Sequence, residues 1–290
     1  MYREIVSHLP RQKWEPQKLT NMIKKRKVIS VFTILFIGIG LMFCGGCTQE
    51  PVQPRSTTYN LKVKNVLGVA GTATFTETSP SVATITITLT NAPAGIHPAQ
   101  LCMNSVVEGG NVQLNLNPVD ETGVSKTEVT TMTYTQLIAF NGFIKVLQSS
   151  SDNVTILVQG DIGGNVLTST GKFYDLTTIG AYGVAGTALF QQRQNGNTLV
   201  TISLTGTIDG NSYPATINLG SIASVGGGPV VALLSDVDGT TGRSFTNVKT
   251  LTSGIAVTFD NWLVYDGYIN IYQAPIASGV IICHGNIGSN

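Results

Sequence analysis

Little of this sequence is charged, and its two signs are segregated. Lys and Arg number 17 and Asp and Glu 16 over 290 residues, a formal net charge of +1. Residues 1–47, however, hold eight Lys/Arg against two Asp/Glu, and residues 48–290 hold nine against fourteen. A nucleic-acid binder carries a basic face. The mildly acidic remainder has none, so that class is excluded from expectation. Cysteine is also scarce: four in all, with Cys44 and Cys47 close together near the start, leaving Cys102 and Cys283. Two cysteines make no disulfide framework. Their pairing stays open beside burial as separate small apolar residues. Beyond residue 47 no stretch sustains a 3.6-residue apolar period, which argues against a helical protein. YTQLIAF at 134–140 is the one short helix candidate. No Gly-rich loop follows a strand and opens a helix, so GVAGTA at 68–73 reads as a bend or bulge and not as a phosphate cradle.

What the beginning does hold is MIKKRKVISVFTILFIGIGLMFCGGC at 22–47. A basic cluster, an apolar run from Val28 to Phe43 and a small-residue exit follow the grammar of an export signal. The run is shorter than the roughly 20 residues of a membrane-spanning helix. It resembles a bacterial lipoprotein signal, which implies lipidation of Cys47. Cys47 is preferred to Cys44 because Gly46 before it is small, whereas Phe43 precedes Cys44. Met22 is the expected true start, since residues 1–21 are polar and aperiodic. The expected localisation is the cell envelope, anchored by lipid to the outer membrane of a Gram-negative bacterium. Thr48-Gln49-Glu50 leaves periplasmic and surface facing both open. Residues 48–58, TQEPVQPRSTT, read as a tether.

The rest is an internal repeat. GVAGTATF at 68–75 returns as GVAGTALF at 183–190, HPA at 97–99 as YPA at 213–215, and Val119-Asp120 as Val237-Asp238. GFIKV at 142–146 returns as GYINI at 267–271, and GDIGGN at 160–165 as GNIGSN at 285–290. The offset rises in steps and never falls, as a duplicated domain with small insertions requires. Within each copy the apolar period is two. Ile85, Ile87 and Leu89 alternate with Thr84, Thr86 and Thr88, and Val200, Ile202 and Leu204 alternate with Thr201 and Ser203, the pattern of half-buried antiparallel strands. Gly and Asn/Asp clusters at 108–111, 121–123, 195–197 and 209–211 supply turns. The expectation is an all-β protein of two tandem antiparallel β-sandwiches, spanning 59–167 and 173–290, with a linker near 167–174.

The motif order GVAGTATFTET, the alternating Thr/Ile strand, NAPAGIHPAQL, EGGNVQLNLNPVDETG, TYTQLIAFNGFIKV and VQGDIGGN resembles the CHRD domain, named for chordin. The resemblance covers nearly all of 59–166, with a divergent second copy at 173–290. It implies an immunoglobulin-like or superoxide-dismutase-like sandwich and a role in binding or protein interaction. Related bacterial sequences often carry histidines here that invite comparison with copper/zinc superoxide dismutases. In this chain His97 is present, but Gln100, Cys102 and Leu147 stand at the other positions, and Tyr213, Thr216, Asn218 and Tyr272 in the second copy.

Four sets of residues are candidates for chemistry. His97 and Cys102 are metal candidates, but they provide at most two of the three or four ligands that a transition-metal site needs. The competing reading is a turn histidine before Pro98, with Leu101 or Cys102 entering the core. Asp236 and Asp238, in DVDG, are calcium candidates that lack the closing acidic ligand of a calcium loop and read equally as a turn. Cys283-His284 offers a nucleophile beside a base, yet adjacent strand residues face opposite ways. Trp262, Tyr265, Tyr268 and Tyr272 make either a recognition patch or core.

The expected function is a non-enzymatic, lipid-anchored binding or adhesion module without a cofactor. Its partners are the membrane, through the lipid, and an unknown protein or polysaccharide ligand. The alternatives are a metal-binding protein, which needs His97, Cys102, Cys283 and His284 to converge, and a polysaccharide binder, which needs an exposed row of Tyr and Trp.

Overall fold

The threonine-punctuated runs build strands whose alternate apolar side chains, such as Ile85, Ile87 and Leu89 or Val200, Ile202 and Leu204, enter one core in each copy. In the first copy the strands are β1 (Ser56–Val63), β2 (Ala70–Ser79), β3 (Val82–Thr90), β4 (His97–Met103), β5 (Val112–Val119), β6 (Val124–Val129), β7 (Gly142–Leu147) and β8 (Ile156–Ile162), with a short helix α1 (Tyr134–Ala139) before β7. The second copy repeats the set as β9 (Leu167–Thr178), β10 (Ala185–Arg193), β11 (Thr198–Thr205), β12 (Ser212–Leu219), β13 (Val230–Asp238), β14 (Arg243–Val248), β15 (Asp266–Tyr272) and β16 (Ile281–Gly288), with α2 (Phe259–Leu263) before β15. This computed structural model describes residues 53–224, 227–273 and 279–290. The signal, Met22, Cys47 and the first residues of the tether lie outside the described residues. Residues 51–290 form one compact unit. Among the described residues no helix is long and apolar enough to cross a membrane.

Pairing is antiparallel throughout, and the two copies share one topology. The first sheet runs β5-β4-β7-β8-β1-β2-β3-β6, and the second runs β13-β12-β15-β16-β9-β10-β11-β14, closing on itself. This corrects the expected sandwiches: each copy is one continuous, curled eight-stranded sheet, barrel-like in both and fully closed in the second. Each sheet therefore wraps its own core. In the first copy Phe75, Ile85, Ile87, Leu101 and Ile144 lie in that core, and in the second Phe190, Ile202, Ile217, Ile269 and Trp262.

The seam between the two end strands is bridged alike in both copies. The Asn117 backbone N–H of β5 donates to Thr127 Oγ1 of β6 at 2.8 Å. In the second copy the Ser235 N–H of β13 donates to Thr246 Oγ1 of β14 at 2.8 Å. One ladder pair, Asp238 with Arg243, completes the second barrel. A threonine hydroxyl thus stands where the strands diverge too far for a backbone bond, satisfying a donor that would otherwise be orphaned.

Both helices begin with a reciprocal cap. Thr133 and Gln136 form it on α1, and Thr258 and Asn261 on α2. The helix candidate at 134–140 corresponds to α1; α2 is a second helix that the sequence reading did not contain. Nor is there a linker near 167–174: those residues belong to β9, a strand of 12 residues reached directly from β8 through a single 3-10 turn, Gly163–Asn165. The end of the tether, Ser56–Thr58, is already in β1.

Candidate functional site: a cleft between the two copies

The sequence candidates do not come together. His97 opens β4 and is 1% exposed; its Nδ1 faces the Gln148 carbonyl at 2.6 Å and its Nε2 the Pro93 carbonyl at 2.9 Å. Both ring nitrogens thus face backbone carbonyls inside the fold, and neither is turned toward a second ligating side chain among the described residues. Cys102 is fully buried in β4, where an irregular pairing against β5 between Leu101 and Cys102 breaks strict alternation. Cys283 lies in the core of the other barrel, while its neighbour His284 is half-buried and absent from that core. Both thiols are free, and burial raises both, that of Cys283 to about 11. Burial lowers His284 below its ordinary value. Among the described residues no three His, Cys, Asp or Glu side chains form a cluster able to hold a metal ion. The convergence that the metal reading needs is therefore missing.

Asp236 accepts from the Ser212 hydroxyl at 2.8 Å, and Asp238 accepts the Thr241 N–H at 2.7 Å. That bond to Thr241 sets the Asp238 carboxyl below its ordinary value. Asp236 thus lies within β13 and Asp238 caps the turn from β13 to β14, each carboxylate holding a neighbouring hydroxyl or N–H. The aromatic candidates are divided between two places. Trp262 is fully buried in the second core, with Tyr265 half-buried against it at a ring separation of 4.9 Å. Tyr268 is buried and accepts the Gly228 N–H at 2.8 Å, and Tyr272 is half-buried. The exposed planar row that a polysaccharide surface needs is not formed by these four.

Chemistry concentrates instead where the two copies meet. Asp161 alternates in β8 with core residues Val158 and Ile162, so its carboxylate points outward. Its Oδ1 accepts the Val106 N–H at 2.7 Å, folding the β4–β5 loop over the sheet. Its Oδ2 accepts from Arg193 Nη1 of the second copy at 2.7 Å. Arg193 ends β10, beyond an irregular pairing with β9 that interrupts the regular register. It is 1% exposed, and its side chain also donates to the Asn165 carbonyl and, through Nε, to Asn247 Oδ1 at 2.9 Å. Asn247 in turn donates to Glu108 Oε2 at 2.9 Å, and Lys249 Nζ to Glu108 Oε1 at 2.9 Å. For Glu108 burial works upward; hydrogen bonds from Lys249 and Ser105, with the Lys249 charge, outweigh it and bring the carboxyl below its ordinary value.

Backbone contacts tighten the same junction. Asn195 N–H donates to the Gly164 carbonyl at 2.9 Å and Gln194 N–H to the Val166 carbonyl at 2.9 Å. Gly164 permits this approach: a Cβ there would stand 2.9 Å from the Asn195 Cβ and collide with the Asn141 side chain. The two barrels are therefore held in a defined relation, as a preorganised site requires.

Beside this junction lies an open cleft of about 510 Å³. Asn60 and Lys62 of β1 and Gln159 and Asp161 of β8 line it, with Lys62 directly opposite Gln159 in the ladder. Its apolar side is built by Val63, Val107 and Val166 together with Leu199 and Phe245 of the second copy. Val63 and Phe245 are each 42% exposed there and Val107 37%. An apolar wall with a few polar groups, set between domains, is the usual make-up of a small-molecule site. None of Arg193, Asp161, Glu108, Lys62 or Phe245 was singled out from sequence. The available signal was an arginine at position 193, aligned with Thr78 of the first copy, ending an otherwise uncharged strand.

No family model, curated protein or solved structure matches this chain.

Proposed function

We propose that this chain is a non-enzymatic, lipid-anchored envelope protein that holds a small ligand between two CHRD-like β domains. The observation that carries the binding reading is the cleft itself, formed by β1 and β8 of one copy and by Leu199 and Phe245 of the other, beside a buried ion pair that fixes the copies together. Neither barrel alone makes both walls, so the duplication gains a site that one copy lacks. Kinship to the CHRD family, with its immunoglobulin-like or superoxide-dismutase-like relatives, rests on the order of motifs along both copies. Lipidation at Cys47 and placement in the envelope rest on the basic, apolar and small-residue succession at 22–47. The low charge and acidic balance after Cys47 support an extracytoplasmic setting without nucleic acid as partner.

Two experiments test this. Metabolic labelling with palmitate is expected to mark the wild-type chain and not Cys47→Ser; equal labelling sinks the anchor. For the site, Val107→Trp fills the cleft from an exposed position. Native mass spectrometry of the purified full chain is expected to find a small molecule carried by the wild type and lost from Val107→Trp. The same occupancy in both, or none in either, removes the cleft from consideration as the ligand site.

A further inference from the structure

The charges around the cleft are unequal in what they hold. Arg193 is paired with Asp161, and Lys249 with Glu108. The other Asp161 oxygen is occupied by the Val106 N–H. Lys62, exposed on the cleft's β1 side, makes no ion pair among the described residues. The uncompensated charge of the cleft is therefore one cation, beside the amides of Asn60 and Gln159, at the edge of an otherwise aliphatic and aromatic wall.

Resting on the reading of the cleft as the ligand site, we infer that its ligand is a soluble amphipathic carboxylate: an acyl chain along Val63, Val107, Val166, Leu199 and Phe245, with its carboxylate on Lys62. The chain removes apolar surface from water on both partners, at about 25 cal/mol per Å². The ammonium supplies charge-assisted hydrogen bonding at one end. A sugar suits this wall poorly: of the two aromatic residues that line it among the described residues, Tyr59 is buried and Phe245 alone is exposed, and the valine and leucine side chains offer hydroxyls no partner. A cationic amphiphile would meet Lys62 with like charge.

Isothermal titration of the purified full chain with laurate, below its micelle concentration, tests this against dodecyltrimethylammonium, which has the same chain and opposite charge. Saturable laurate binding is expected, at least about tenfold tighter than the cation, with roughly tenfold loss in Lys62→Met, which corresponds to about 1.4 kcal/mol. Lys62→Arg is expected to retain most of the affinity. Phe245→Asp is expected to abolish binding while thermal unfolding shows the fold intact. Equal affinity for laurate and the cation overturns the inference, as does full affinity in Lys62→Met. Co-sedimentation with phosphatidylglycerol vesicles in the absence of laurate binding overturns it in favour of a bilayer headgroup. If laurate fails while a different molecule is carried by the wild type and lost from Val107→Trp, the ligand class is wrong and the cleft stands.

Discussion

Arg193 Nη1 of the second barrel donates to Asp161 Oδ2 of the first at 2.7 Å, with the arginine side chain wholly shielded and the aspartate side chain 18% exposed. Removing one member of such a pair leaves a charge stranded in a poorly solvated place. Asp161→Ala is expected to destabilise the chain by about 3 kcal/mol, with urea unfolding as the measurement. The double variant Asp161→Leu/Arg193→Met is expected to recover most of that loss. A double variant as damaged as the single would show that the charge is not what the junction depends on.

Glu108 ties the same junction to pH. Its folded-state carboxyl lies below the ordinary value, because the bonds from Lys249 and Ser105 prevail over burial. A depressed carboxylate contributes stability that is full above its unfolded value and is lost as pH falls through the folded one. The contribution is therefore complete at neutral pH and fades on acidification below about 4.5, the ordinary value of a glutamate. Urea midpoints of wild type and Glu108→Gln are expected to differ at neutral pH and to converge at the acid end. Parallel curves across the whole range would remove Glu108 from the acid response.

The seams make a third, local prediction. Thr127→Val and Thr246→Val keep side-chain shape but leave the Asn117 and Ser235 N–H groups without their acceptor. Each is expected to cost about 1–2 kcal/mol. Hydrogen exchange is expected to quicken at Asn117 in one variant and at Ser235 in the other. No change at either amide would mean that the hydroxyl bridges do not hold the end strands together.

His97 makes a fourth. Replacement by Leu leaves the Pro93 and Gln148 carbonyls without their ring partner, a loss of roughly 2 kcal/mol. Adding zinc or a chelator is expected to leave the unfolding midpoint of the wild type unmoved. A zinc-dependent rise in that midpoint would return His97 to the role of ligand.

Strand formation was legible because period-two alternation is local, and the duplication was legible because copied motifs keep their order. Thr84 to Leu89 shows both on its face. How a sheet closes is another matter: the same alternation suits a sandwich or a barrel, and the outcome depends on which end strands meet, here at Asn117 and Thr127. Helix α2 escaped notice because five residues are too few to show a period, and its cap uses Asn261 where Gln136 serves in α1. Trp262, Tyr265, Tyr268 and Tyr272 are neighbours in sequence, but the turn after α2 sends the first two to the barrel interior and the other two onto β15. Residues 167–174, with Gly171 and several polar side chains, look like a linker because β9 is largely exposed along this part. The cleft was beyond reach for a different reason: it depends on how two separately folded copies dock, and Lys62 and Phe245 are unremarkable on their own strands.

The junction joins unlike surfaces, and such head-to-tail contacts lengthen without limit when every unit carries both halves. The acceptor side is Asp161 with Glu108, and the corresponding positions in the second copy are Asn286 and Ser224. Asn286 still accepts the Ile222 N–H at 2.9 Å, as Asp161 accepts that of Val106, so the loop-holding half of the device is retained. What has gone is the negative charge that would capture another Arg193. The second barrel thus carries the plug without a charged socket of its own, and the one socket and one plug of the chain are spent on each other.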